Sequence, residues 1–463
     1  METRPLFDAK VFKKKSAGVL GLGKSGRSVA KLLAKKGFKV LVSDSRPKKT
    51  AQDAAKGLPS SVKVEYGGHS DKLLKCAFVV KSPGLKPDLP ILKSLAAKNV
   101  PVYSELEIAL AFSKAKEVIA ITGTNGKSTT TALTWEVFKA GLGRGRKAVL
   151  GGNIGIPISE VAPAAGPKDV LVVECSSYQL EDSAHFRPAA SALLNITADH
   201  LDHHGSMEAY VAAKTRVFRE QAEGDACVFN ADDPHVYKLS RECPSRRLYF
   251  GLKAPHVHAW EEGGKLRFKL PGARTESILT PPKLPGRHNV ENALAAGLLG
   301  LARGLKPAAI QKAFKAFKGV EHRIEEAGTF KGLRCVNDSK ATNVDSTLVA
   351  LKALAPAGKR LLLILGGLHK GSPYLPLKPE IERSVKGILT IGSAARRIEE
   401  DLSGLVPIFP CGDLATAVET AFKIGAKGDL LLLSPACASF DQFTDFEDRG
   451  RRFKALVKDL GRR

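Results

Sequence analysis

The chain has 463 residues, 43% hydrophobic and 6% aromatic, and carries a formal charge of +25 from 72 Lys and Arg against 47 Asp and Glu. At about 150 residues per domain this length suits three domains, and no apolar run approaches the ~18–20 residues that a membrane-spanning helix needs. The basic residues are spread along the whole chain with few aromatics beside them, so a nucleic-acid partner is not expected.

The surplus charge reads as solvated surface, with a modest pull on anionic substrates. The stretch Met1–Ser16 is polar and mixed in charge, unlike a secretory signal. Seven scattered cysteines without a C-x-x-C read as reduced thiols in a cytoplasmic protein.

Residues 1–112 read as a first α/β domain. A strand at 17–20 enters Gly21-Leu-Gly-Lys-Ser-Gly26, and 27–36 is an amphipathic helix closed by Gly37. The next strand, at 39–43, ends in Asp44. A G-x-G-x-x-G turn with an acid about 20 residues on is the Rossmann fingerprint, which places a diphosphate on a helix start and an acid near a sugar or base. Alone it does not separate NAD, FAD and other diphosphate nucleotides from a tight turn that binds nothing. A strand at 78–81 runs into Ser82-Pro-Gly84, a strand-end loop of the kind that forms ligand crevices. Residues 106–112 close the domain, and 113–117 is a linker.

The middle domain, 113–320, is organised around Ile121-Thr-Gly-Thr-Asn-Gly-Lys-Ser-Thr129. An apolar strand at 118–121 leads in, and a helix at 128–140 leads out. Such a turn offers backbone N–H groups and the positive end of a helix dipole to a polyphosphate. Lys127 adds a cation, and the Ser128 hydroxyl suits Mg²⁺. Because residue 121 is Ile, the general G-x-x-x-x-G-K-[ST] motif is unmatched and the loop is a shorter G-x-x-G-K-S.

A strand at 169–173 places Glu174 at its carboxyl end, where a hard oxygen ligand for Mg²⁺ is wanted, or where a solvated acid would sit. The run from Asp199-His200 to His203-His204 raises a zinc hydrolase. The glutamate of H-E-x-x-H is absent, so His203 and His204 read as solvated surface residues. Lys214, in a helix over 210–218, reads by itself as a solvated lysine. Asn289 and Asn292 face one side of a helix start, either reading a base or phosphate or capping the helix.

In the last domain, 321–463, strands at 333–336, 360–365, 387–391 and 429–433 alternate with helices such as 344–354 and 414–424, which is a second doubly wound pattern. Polar runs follow three of the strands, at 337–343, 366–370 and 434–443, where such folds place ligands.

With these residues assembled, the chain resembles the Mur ligase family over nearly its whole length. The resemblance rests on Gly123-Thr-Asn-Gly-Lys-Ser128, Gly151-Gly-Asn-Ile-Gly155, Glu174-Cys-Ser-Ser-Tyr-Gln179, Asp199-His200, Gly286-Arg-His-Asn289, Glu321-His-Arg323, Asn337-Asp-Ser-Lys-Ala-Thr342 and Ser434-Pro-Ala-Cys-Ala-Ser439. It implies three α/β domains: a Rossmann-like domain binding a UDP-sugar, a central ATPase domain and a Rossmann-like domain binding an amino acid.

It also implies addition of D-glutamate to UDP-N-acetylmuramoyl-L-alanine through an acyl phosphate, with ATP as the phosphate donor; the alternative is a sister ligase adding another amino acid. Lys127, His200 and Lys214 would be catalytic. Gly123, Thr124, Asn125, Gly126, Lys127, Ser128, Thr129, Asn289, Asn292, Arg323 and Asp338 would meet ATP. Mg²⁺ would be held by Ser128 and Glu174, and a second ion near His200 with a carbamylated Lys214. Lys24, Ser25, Asp44, Ser45, Arg46, Gly84, Asn153, Ser176, Gln179 and His200 would hold the UDP substrate, and Lys340, Thr342, Lys370, Ser439 and Phe446 the D-glutamate. Because ATP ligands come from two domains, the site is expected to be complete only on closure. A cytoplasmic monomer is expected.

Overall fold

The structure, a computed structural model, describes residues 7–8, 10–12, 15–355, 358–369, 371 and 373–462. Contacts divide the chain into two compact units, Met1–Lys283 with His288–Phe317, and Leu284–Arg287 with Lys318–Arg463. Among the described residues the strands form three sheets, two in the first unit and one in the second. No helix there is long and apolar enough to cross a membrane.

The first sheet is parallel, with strands β1 (Ser16–Leu20), β2 (Lys39–Asp44), β3 (Lys63–Tyr66), β4 (Phe78–Lys81) and β5 (Val102–Ser104) in the order β3-β2-β1-β4-β5. Chain order reverses between β1 and β4, the point where open sheets leave a crevice. The turns that follow those two strands therefore meet: the Ser82 amide donates to the Leu20 carbonyl, and the Ser82 hydroxyl lies 3.5 Å from the Gly21 oxygen. The helix Lys24–Lys35 buries Val29, Ala30, Leu32 and Leu33 on one face and leaves its lysines in water. It begins inside the fingerprint, so Gly26 lies in its first turn against the strand end.

The second sheet holds β6 (Glu117–Thr122), β7 (Ala148–Gly152), β8 (Val170–Glu174), β9 (Ala190–Leu193), β10 (Ala226–Asn230), β11 (Arg246–Phe250), β12 (Ala259–Glu262), β13 (Lys265–Phe268) and β14 (Ser277–Leu279). The order is β14-β13-β12-β11-β10-β9-β6-β8-β7, parallel from β7 to β12 and antiparallel beyond. Strand β6 reads Glu-Val-Ile-Ala-Ile-Thr, and all but its first residue are buried, as a strand covered on both faces demands. It lies between β8 and β9, so the loop after it is flanked by the loops after both neighbours.

The second unit's sheet holds β15 (Glu325–Phe330), β16 (Leu333–Asn337), β17 (Leu361–Gly366), β18 (Val385–Ile391), β19 (Ile408–Gly412) and β20 (Leu430–Leu433), ordered β15-β16-β20-β17-β18-β19. Five strands are parallel; β15 runs antiparallel to β16 with a register shift at Glu326/Gly328, and the outer strand β19 carries Pro410 and a second shift against β18. The polar runs at 337–343, 366–369 and 434–443 leave the carboxyl ends of three adjacent strands, β16, β17 and β20. Strands β3, β5, β7, β9, β15 and β19 were not among the expected ones. Each is short or half-exposed, with too little apolar alternation to stand out.

Gly26 packs so closely that a Cβ there would collide with the Gly21 carbonyl oxygen. Gly26→Ala should cost about 1–3 kcal/mol as overpacking. The check is a lowered denaturant midpoint for the first unit, with amide exchange accelerating in β1 and the helix Lys24–Lys35.

Candidate active site

The loop after β6 is held from several sides. Gly123 and Gly126 have φ of +154° and +84°, values that a side chain would resist. A Cβ on Gly126 would stand 2.6 Å from the Asn292 side-chain oxygen. Asn195, just past β9, brackets the loop: its side chain accepts from the Asn125 amide at 2.7 Å and donates to the Asn125 carbonyl at 3.0 Å. The Thr124 hydroxyl lies 2.9 Å from the Tyr210 hydroxyl and 3.2 Å from the Thr197 carbonyl. Gly126 caps the helix Lys127–Gly141 with no side-chain cap, and that helix has no acid in its first turn. Its amide donors and dipole are thus directed at the loop, which suits an anion.

Two lysine nitrogens converge on one oxygen. Lys127 Nζ donates to the Gly123 carbonyl at 2.9 Å and to the Thr124 carbonyl at 2.6 Å, while Lys214 Nζ donates to the same Gly123 carbonyl at 2.7 Å. Lys214 is 1% exposed, which corrects its reading as a solvated lysine. The helix Met207–Arg219 turns it inward beside Ala213, Val217 and Phe218. Burial, with the neighbouring Lys127 charge, holds its ammonium well below the usual lysine range.

Beside the loop, Glu174 ends β8 opposite Ile121 of β6. It is buried, and the Asn153 side chain donates to its Oε1 at 2.7 Å. Ser128 is 2% exposed and Thr129 is buried. Asn292 donates to the Asn289 side chain at 3.1 Å and accepts from the Thr130 hydroxyl at 3.0 Å, which fixes that asparagine pair against the helix after the loop. Ser176 and Gln179 form a reciprocal capping box at the start of the helix Ser177–Glu181. His200 sits in the left-handed region at φ +55°, half exposed, with Asp199 3.4 Å away and the Tyr178 ring at 4.8 Å.

His203 and His204 are not surface residues. Both are buried under Tyr178 and approach Glu181 at 3.1 and 3.3 Å. The short helix Leu201–His204 turns them inward, a direction that the polar composition of the run concealed.

At the switch of the first sheet, Arg46 donates to both oxygens of Asp44, and the Leu22 amide adds a bond at 2.7 Å. Those bonds, the Arg46 pair foremost, hold the Asp44 carboxyl down at about 2. Lys24 reaches the Gly155 carbonyl, Ser25 is half-buried, and Ser45 and Gly84 are exposed.

In the second unit, Asp338 is buried, accepting from the Ser434 hydroxyl at 2.7 Å and from the Ile324 amide at 3.1 Å. Burial pushes its carboxyl up to about 7, against the pull of Ser434 and Arg323. Lys340 lies 5.3 Å over the Phe446 ring. Ser439 is buried, and Thr342 is half-buried. Lys370 lies outside the described residues. Sequence reasoning passed over Arg449, fully buried, which donates to the carbonyls of Ser339 and Cys437 and so ties the loops after β16 and β20 together. Nothing in its Arg-rich surroundings marked it. It also passed over Asn195 and Tyr210, whose work on the loop depends on strand order.

Three family descriptions match the chain in sequence: the MurD-like N-terminal domain of Mur ligases over residues 15–104, the Mur ligase middle domain over 121–300 and the Mur ligase glutamate ligase domain over 322–437. The chain belongs to the Mur ligase family. A UDP-N-acetylmuramoylalanine--D-glutamate ligase of Elusimicrobium minutum is 46% identical over 98% of this chain and 100% of its own length. A protein of the same name from Anaeromyxobacter dehalogenans is 42% identical over 96% of this chain and 97% of its own. Among solved structures, the UDP-N-acetylmuramate-alanine ligase MurC of Thermotoga maritima superposes with a TM-score of 0.61 at 21% identity, covering 96% of this chain and 100% of that one. A pseudomurein peptide ligase type C from Methanothermus fervidus gives 0.60 at 19%, with the same coverage. At those identities the likeness establishes the fold, which is the Mur ligase α/β fold.

Asp338 generates a prediction about pH. A carboxyl whose folded pKa is raised, here from 3.8 to about 7, binds more protons folded than unfolded in that interval. Stability therefore falls as pH rises through it, by at most about 1.4 kcal/mol per pH unit. Asp338→Asn should flatten this slope. Thermal unfolding of wild type and variant from about pH 4 to about pH 8 should show the wild type losing stability relative to the variant as pH rises.

Proposed function

We propose that the protein is an ATP-dependent ligase that adds D-glutamate to UDP-N-acetylmuramoyl-L-alanine, releasing ADP and phosphate, in peptidoglycan precursor synthesis. The observation that carries the chemistry is the pair Lys127 and Lys214 on the Gly123 carbonyl, at an uncapped helix start with Glu174 alongside. The amino acid and acceptor are supported by relatives of that name at 38–46% identity over nearly the whole chain.

In this reading residues 1–112 bind the UDP-sugar, 113–320 bind ATP and 321–463 bind D-glutamate. The substrate carboxylate attacks the γ-phosphate of ATP, the C–O–P bond of an acyl phosphate forms, and ADP leaves. The D-glutamate amine then attacks the acyl carbon, loses a proton and expels phosphate. Both steps bring anions together, so charge neutralisation is the main catalytic task. Lys127, withdrawing from its own loop carbonyls, would meet the transferring phosphate. The amides of 123–129 would cradle the remaining phosphates, with Asn289, Asn292, Arg323 and Asp338 as further ATP contacts.

Lys24, Ser25, Asp44, Ser45, Arg46, Gly84, Asn153, Ser176, Gln179 and His200 would position the UDP substrate. Lys340, Thr342, Lys370, Ser439 and Phe446 would receive D-glutamate, two cations and two hydroxyls suiting a dicarboxylate.

The donor set beside the loop fits Mg²⁺, which prefers hard oxygens: a buried carboxylate oriented by Asn153 and a buried hydroxyl at the helix start. Glu174 and Ser128 would hold one ion, and His200 with Lys214 would serve a second. Bound there, Mg²⁺ would supply further neutralisation of phosphate charge. An ammonium is no ligand, but burial favours the neutral amine of Lys214, the form that adds CO2 to become a carbamate. A cytoplasmic monomer completes the reading.

Phosphate release should require UDP-N-acetylmuramoyl-L-alanine, ATP and D-glutamate together, and release supported by L-alanine or diaminopimelate instead would identify a sister ligase. Lys127→Met should lower kcat by about 10²- to 10³-fold, the usual cost of one lost transition-state stabiliser. If Lys214 is carbamylated, protein equilibrated with carbon-labelled bicarbonate should show a carbamate NMR signal that Lys214→Arg lacks. The same spectrum from both proteins would count against the modification.

A further inference from the structure

The proposed reaction leaves two buried histidines of the 199–204 run without a task. His203 Nε2 stands 3.1 Å from Glu181 Oε2, and His204 Nδ1 stands 3.3 Å from Glu181 Oε1. One donor atom from each of the three side chains falls within 4.8 Å of the others. The His204 side chain is wholly buried, and its Nδ1 has no hydrogen-bond partner among the described residues. An N–H there would be misaligned with the carboxylate, and a lone pair would face an anionic oxygen. Both are poor arrangements for a buried group.

A cation set off the N···O line removes the difficulty. Two donors at ~2.0–2.1 Å on a tetrahedral ion stand about 3.3 Å apart. Each histidine already lies 3.1 or 3.3 Å from one oxygen of Glu181, and the three donors, all within 4.8 Å of one another, need only a small inward turn. His204 is also oriented as a ligand is: its other nitrogen, Nε2, lies 3.0 Å from the Ser177 hydroxyl, an outer-shell bond that fixes the ring. Burial holds its imidazole below the ordinary range, which favours the neutral ligand form. We propose that Glu181, His203 and His204 form a binding site for a divalent cation of the Zn²⁺ class, on residues other than those assigned to nucleotide-bound Mg²⁺.

Two imidazoles and a carboxylate suit Zn²⁺ better than Mg²⁺, which takes oxygen donors and keeps its water. One group competes. Lys81 Nζ lies 3.0 Å from Glu181 Oε2, but it also holds Asp182 Oδ2 at 2.8 Å. It therefore keeps an anionic partner when Glu181 turns to the ion. The site bridges the helices Ser177–Glu181 and Leu201–His204, and Tyr178 covers both histidines while touching His200 on the same ring. Occupancy would thus clamp the segment that carries His200.

The test is titration of Co²⁺, whose visible spectrum reports tetrahedral nitrogen–oxygen ligation, into the tag-free full chain without nucleotide or Mg²⁺, with Zn²⁺ dialysis for stoichiometry. One saturable equivalent is expected. His203→Gln and Glu181→Gln should each weaken it by at least about 10-fold, the minimum cost of losing even an outer-shell partner. Lys81→Met, which removes the competing cation and no ligand, should tighten it; this gain keeps the test decisive if a histidine variant misfolds. The double variant Glu174→Gln with His200→Asn should bind as the wild type does. No saturable equivalent, a signal lost with Glu174 and His200 but kept without His203, or an affinity unmoved by Lys81→Met would overturn the assignment. None of these results depends on turnover, so failure here is separable from failure of the proposed reaction.

Discussion

Two lysine side chains share one backbone oxygen, and much of the first unit is arranged so that they can. Like charges this close repel strongly, so the buried Lys214 is driven towards its neutral amine while the half-buried Lys127 stands beside it. The loop that tolerates them is held by Asn195 from one neighbouring strand, lies beside Glu174 from the other, and touches Tyr210 from the helix that delivers Lys214. A position that sets the Lys127 cation beside an uncapped helix start is pre-organised for an anion with several negative oxygens. The cost of assembling these groups is met by folding, before any ligand arrives.

The same unit joins its two sheets through the helix Glu105–Ala111, whose Leu106 and Ala109 enter the core of the second sheet while Ile108 stays in that of the first, and through polar contacts beside it. The Ser28 and Ser159 hydroxyls lie 2.8 Å apart, and the Glu105 carboxylate accepts from the Ser159 amide. Ser104 meets Ser183, and Glu107 accepts from the His185 amide. Lys81, 1% exposed, is paired with Glu181 and Asp182. Buried pairs of this kind add little net stability, but removing one partner typically costs about 3–5 kcal/mol. They therefore specify one arrangement of the strand ends around β4 and the helix after β8, which is where the candidate substrate groups lie.

The long parallel strands and the three glycine-bearing turns were legible in the sequence because each depends on neighbours in the chain. Val118–Ile121 into Gly123–Ser128 is apolar run, turn and helix start within a dozen residues, and the structure has each where expected. Lys214, His203 and His204 were not legible from their surroundings. Their burial follows from which helix face meets the sheet, and the alternation of small and polar residues around them carries no such signal. For Lys214 the resemblance supplied what periodicity did not, whereas for the two histidines nothing did. Arg449 is the same case in the second unit: among Arg449, Arg451 and Arg452, one is wholly enclosed and the other two exposed, and only three-dimensional packing separates them.

The flanks of the second unit's sheet have a consequence for behaviour in concentrated solution. A straight unpaired strand edge is a template on which another chain can build by backbone pairing. Here one flank is a short antiparallel hairpin with a bulge at Glu326/Gly328, and the other is interrupted by Pro410 and a second bulge. Neither offers an even row of donors and acceptors, so the apolar ladder of β16, β20, β17 and β18 is screened from sideways stacking between molecules. That protection is worth having in a chain whose central strands, such as Leu361-Leu-Leu-Ile-Leu-Gly366, would be strongly adhesive if laid bare.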